Sequence, residues 1–106
     1  MPKYLLQGSY TSEGAKGLLK EGGSQRRAAV EKSLQPLGAK IEAFYYSLGE
    51  DDVYVIVDAP DNITVAAMSM AVNAAASVRL KTTVLLTTQE IDAAAKKGVD
   101  YRPPGR

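Results

Sequence analysis

Two strand-like runs, residues 39–48 and 53–57, are separated only by Gly49-Glu50-Asp51-Asp52. Four polar turn residues between such runs hold them antiparallel as a hairpin. Residues 4–10 and 78–86 supply two further strand-like runs, and helical stretches lie between each of them and the hairpin. The order is therefore β-α-β-β-α-β. In one sheet this gives the antiparallel ferredoxin-like α+β arrangement, spatial order 4-1-3-2, with the helices on one face. A chain of 106 residues suits one such domain, burying about 65% of its unfolded surface, and leaves no room for a second core. The domain is assigned to residues 1–97. Residues 98–106, which include Pro103 and Pro104, are expected to form a loose tail.

Local chemistry refines these elements. Thr11 or Ser12 can cap a helix with Glu13 in its first turn. Gly14, Gly17, Gly22 and Gly23 follow, and each costs about 1 kcal/mol relative to Ala inside a helix, so only a short, weak helix is expected there. Ser24 then caps a helix from about Gln25 that aligns Val30, Leu34 and Leu37 and stops at Pro36 and Gly38. Beyond Pro60, Asp61 or Asn62 caps a helix reaching about Ser77. It is apolar around most of its circumference, with a polar stripe of Asn62, Ser69, Asn73 and Ser77. Thr87 and Glu90 form a capping-box pattern that opens a short terminal helix at residues 91–97.

Composition excludes whole classes of chemistry. There is no cysteine, histidine or tryptophan, hence no disulfide scaffold, thiolate nucleophile, histidine triad or ordinary zinc, haem or iron–sulfur ligation. Neither the phosphate-loop pattern nor the dinucleotide fingerprint occurs, so no cofactor is expected. Glu50, Asp51 and Asp52 are adjacent in a tight turn, where their side chains diverge, so no metal is expected either. No apolar run approaches the roughly 18 residues of a membrane span. Residues 1–4 lack the charged and apolar regions of a signal peptide, so a cytoplasmic location is expected. The net charge is +1, and residues 49–64 hold five of the twelve acids and no base, so the rest of the chain carries +6. That balance gives no overall field for nucleic acid or for a membrane surface.

The residues also resemble a known family. Lys3 to Thr11 (KYLLQGSYT), the hairpin Gly49-Glu50-Asp51-Asp52-Val53, the strand end Val57-Asp58-Ala59-Pro60-Asp61 and Val78 to Thr83 (VRLKTT) together resemble the GYD-domain family, over about residues 3–95. The family's Gly-x-Tyr-Asp hairpin is kept at Gly49 and Asp52, with Asp51 where the Tyr would fall. The resemblance implies a ferredoxin-like fold, assembled as a dimeric α/β barrel, in a bacterial family of unestablished biochemical function. The hairpin followed by Asp61 is also similar, more weakly, to the effector-binding domain of leucine-responsive (Lrp/AsnC-type) regulators. In those proteins the equivalent turn lies near amino-acid effectors at a subunit interface, but no helix-turn-helix precedes the domain here.

The topology gathers Ser9, Tyr10, the hairpin, Tyr54, Arg79 and Lys81 at one sheet edge. Tyr10, Asp52, Tyr54, Arg79 and Lys81 are the candidate ligand-binding residues, with Arg79 and Lys81 suited to a small anion and a carboxylate or Tyr10 to a proton. The bland reading is that Asp52 pairs with Arg79 and pins the hairpin. Alternation along residue 78 onward places Arg79 and Lys81 on the uncovered face. Val53, Val55 and Val57 alternate with Tyr54 and Ile56, so the central strand is apolar on both sides. The uncovered side needs a partner, and a second copy of the chain supplies one, giving a homodimer or higher even oligomer. Two functions fit: a small-molecule-binding or regulatory module, and a cofactor-free dimeric-barrel enzyme such as a monooxygenase or isomerase. The lack of histidine favours the first.

Overall fold

A computed structural model describes residues 1–106. Four strands, β1 (Lys3–Tyr10), β2 (Lys40–Tyr46), β3 (Val53–Asp58) and β4 (Val78–Leu85), form one antiparallel sheet in the order β2-β3-β1-β4. This is the expected ferredoxin-like order. Helices α1 (Ser12–Glu21) and α2 (Gly23–Leu34) join β1 to β2. Helix α3 (Asn62–Ala74) joins β3 to β4, and α4 (Thr88–Lys97) follows the sheet. No helix is long and apolar enough to cross a membrane.

Alternate residues of the central strands sort onto two faces. Tyr4, Leu6, Val53, Val55 and Val57 are buried beneath the helices with Leu34 of α2 and Val65 of α3. Leu5, Gln7, Ser9, Tyr54 and Ile56 lie half-buried on the other face. Gly8 sits where the Val53 and Val78 side chains close over the strand, and a Cβ there would stand 2.9 Å from each. The small residue in β1 therefore serves packing within the domain.

Several local expectations shift. The first helix runs a full ten residues despite its two internal glycines, capped by Thr11, whose hydroxyl accepts the Gly14 N–H. It stops at Gly22, whose φ of 82° an L side chain rarely adopts. The next helix begins at once, at Gly23, with Gly22 as its N-cap, so Ser24 is not the cap. The α2 stripe ends at Leu34; Gln35–Leu37 tightens into a 3₁₀ turn and Leu37 is exposed. In α3 the polar stripe faces the sheet. The Tyr4 hydroxyl donates to Asn62 (2.6 Å), Ser69 bonds Thr82 (2.7 Å), and Asn73 takes both the N–H and the carbonyl of Leu80. Those last bonds satisfy groups on the outer edge of β4 that would otherwise be open to another strand. Ile63 and Met70 consequently point to solvent. The Thr87–Glu90 capping box forms as expected, while every residue of α4 stays exposed.

Candidate functional site

The open face is ordered in rows by the strand register. Tyr45, Tyr54, Gln7 and Lys81 lie side by side across the four strands, and Ala43, Ile56, Leu5 and Thr83 form the next row. Ser9 pairs with Arg79 one step beyond the first of these rows. At the opposite end Lys3 bridges Asp58 and Glu42, each at 2.8 Å, and these hydrogen bonds, Asp58 first, raise the pKa of the lysine. The face therefore has an apolar waist at Leu5 and Ile56 between two charged ends. Arg79, Lys81 and Tyr54 share it, as the alternation required.

The residue that organises the charged end is Asp51. Reaching in from the β2–β3 hairpin, its carboxylate accepts hydrogen bonds from Ser9 Oγ (2.8 Å) and Gln7 Nε2 (3.1 Å) and pairs with Lys81 Nζ (3.1 Å). It is only 6% exposed, the one buried acidic residue of the chain. The Ser9 hydroxyl, and after it the Lys81 ammonium, hold its carboxyl below the usual aspartate value. The expected Asp52–Arg79 pair is not made. Asp52 instead accepts the Tyr10 backbone N–H (2.8 Å), and its own N–H donates to Gly8, so it fixes the hairpin to β1. Arg79 is exposed and enters no ion pair.

Tyr10 parts company with the other candidates. It follows Tyr4, Leu6 and Gly8 on the helix-covered face and packs against the core. There it lies beside Tyr46, Arg26 and Glu21, and burial above all pushes its phenol up to about 12. The Tyr46 hydroxyl donates to the Gly23 carbonyl (3.0 Å), fastening β2 to the start of α2. One sheet edge thus holds two separate clusters, on opposite faces. The sequence gathered Ser9 and the hairpin at this edge without making Ser9 or Asp51 a candidate binding residue, and it missed Gln7 on one face and Glu21, Arg26 and Tyr46 on the other. Gln7 and Ser9 carried a signal: they are polar at the same alternation as Arg79 and Lys81, whereas the strand acids Glu42 and Asp58 are taken by Lys3 at the other end of the face.

The hairpin, the strand ends and the sheet order fall within a match to the family model for the GYD domain that spans residues 4–95. The chain belongs to the GYD-domain family. No curated protein and no solved structure matches it. In this GYD domain Asp51 of the hairpin is the hub of the open-face network.

Proposed function

We propose that this GYD domain is a homo-oligomeric small-molecule-binding module. Two copies pack open face to open face as a dimeric α/β barrel, with Leu5, Tyr54 and Ile56 at the centre of contact, and a small anion is held at Arg79 beside the interface. Arg79 carries the reading. It projects from a sheet face that needs a cover, with Lys81 two residues away already engaged by Asp51, and it has no anionic partner in its own chain. A cation drawn toward an interface needs a counter-charge. Tyr10, Asp52, Tyr54 and Lys81 divide the remaining roles: Lys81 neighbours Arg79 along β4, Tyr54 shares the open face across β1, Asp52 holds the hairpin, and Tyr10 belongs to the far face. As an enzyme the domain would need a proton acceptor near neutrality, and a phenol raised to about 12 is a poor base there.

Sedimentation equilibrium should show a dimer or higher even oligomer that Ile56→Lys dissociates. Calorimetry with phosphate and with acetate should show binding that Arg79→Ala abolishes while circular dichroism stays unchanged. A monomeric wild type removes the sheet-to-sheet arrangement. A wild type indifferent to both anions makes the cluster purely architectural.

A further inference from the structure

The helix-covered face is not filled throughout. Between the sheet and helices α1, α2 and α3 lies a partly enclosed cavity of about 360 Å³, walled by apolar side chains such as Val30, Phe44, Val55 and Met68. Its volume falls at the lower end of the range of about 300–1,000 Å³ common for small-molecule sites. At the roughly 30 Å³ that a water occupies in the liquid, it matches the bulk of about a dozen non-hydrogen atoms. The space arises from α1, whose inward stripe of Glu13, Gly14, Gly17, Leu18 and Glu21 includes two glycines. Gly14 must be small because the Ser77 carbonyl lies against it; at Gly17 a Cβ would meet nothing. One glycine seats the helix and the other leaves room.

The polar groups of this cavity select among ligands. Arg26 lines it, and its Nε is shut off from solvent, ion-paired with Glu21 Oε1 at 3.2 Å but without a hydrogen bond. The Nε–H is thus charge-paired without being hydrogen-bonded, and an oxygen acceptor entering the cavity would give it a directed partner. Tyr10 lines the same space, its phenol held protonated by burial and turned toward the Tyr46 hydroxyl. Glu13 and Glu21 also face inward, and Asp52 is close enough to raise the Tyr10 pKa. Two carboxylates lining the cavity with one guanidinium disfavour an anionic head group.

We infer that this cavity is a second binding site, separate from the open face, for an uncharged, mainly apolar small molecule whose carbonyl oxygen accepts from Arg26. The walls take the apolar body by burial. Arg26 orients the oxygen.

Acetophenone, cumene and benzoate have similar shape and size but differ at the group presented to Arg26, and so serve as probes. Titrations followed by the Met68 methyl resonance should show saturable binding of acetophenone about fivefold tighter than cumene, the effect of one neutral hydrogen bond, with benzoate weakest. Arg26→Met should erase the preference for acetophenone over cumene while cumene still binds. Gly17→Leu, which fills the space from a helix position where Leu is favoured over Gly, should abolish binding of both with circular dichroism and melting intact. Absence of saturable acetophenone binding, full binding in Gly17→Leu, an unchanged preference in Arg26→Met, or benzoate as the tightest probe would each overturn the inference.

Discussion

On the helix-covered face Tyr4, Leu6, Val53, Val55 and Val57 meet Leu34 and Val65 and lose nearly all contact with water. On the open face Leu5, Gln7, Ser9, Tyr54 and Ile56, drawn from the same two strands, stay half-buried, and one carboxylate from a loop ties their polar members to β4. The first face is held by burial, which is non-directional and adds up over many contacts. The second depends on a few directed bonds that converge on Asp51. A fold can thus use one set of strands to build a packed core on one side and an addressable surface on the other.

Four measurements bear on that contrast. Leu34→Ala removes a side chain only 1% exposed and should cost about 2–5 kcal/mol in urea unfolding; a loss below 1 kcal/mol would mean that α2 is not fastened to the core as described. Asp51→Asn should lower the melting temperature by less, and its effect should depend on acid. The Asp51 carboxyl is held below its ordinary pKa in the fold, so its contribution is complete above the unfolded value of about 3.9 and fades as pH falls through the lowered folded value. The gap between wild type and Asp51→Asn should therefore be constant near neutrality and close at strongly acidic pH. A gap that widened on acidification would contradict the network.

Thr11→Ala tests the seam between α1 and the sheet. The Thr11 hydroxyl accepts from Gly14 and donates to the Ala76 carbonyl, and loss of such a cap should cost about 1 kcal/mol, measured by urea unfolding. The smallest effect is expected from chelator. Asp51 turns to Gln7, Ser9 and Lys81 while Asp52 turns to the Tyr10 amide, so the acidic hairpin offers no shared coordination sphere. EDTA should leave the melting temperature unchanged, and a drop restored by Ca²⁺ would refute this division.

The covered face was legible in the sequence because period-two alternation reports burial directly: Val53, Val55 and Val57 fell on one side and Tyr54 and Ile56 on the other. The caps at Thr11, Asp61 and Thr87 were legible for the same local reason, since each needs only a side-chain oxygen and an N–H three residues on. Partner choice among Asp51, Asp52, Arg79 and Lys81 was not. A one-residue difference in how a hairpin bends decides which aspartate turns toward the open face, and no alternation rule extends through a turn. Tyr10 was assigned to the sheet edge correctly and to the wrong cluster, although its even position beside Tyr4 and Leu6 already placed it under the helices. The helix-side cavity left only a faint mark, two glycines on one stripe of α1, which in the sequence signified a weak helix.

The strand order also governs how the chain can assemble as it is synthesised. β1 hydrogen-bonds only to β3 and β4, and β2 only to β3, so residues 3–46 contain two strands with no ladder between them. While that half emerges from the ribosome, Tyr4 and Leu6 have no strand beside them. The β2–β3 hairpin is the one sequence-local ladder, and β1 joins it only after Val53–Asp58 has been made, closing a loop of more than forty residues. The first-made strand ends at the centre of the sheet, and until then its apolar side is open to any other chain nearby.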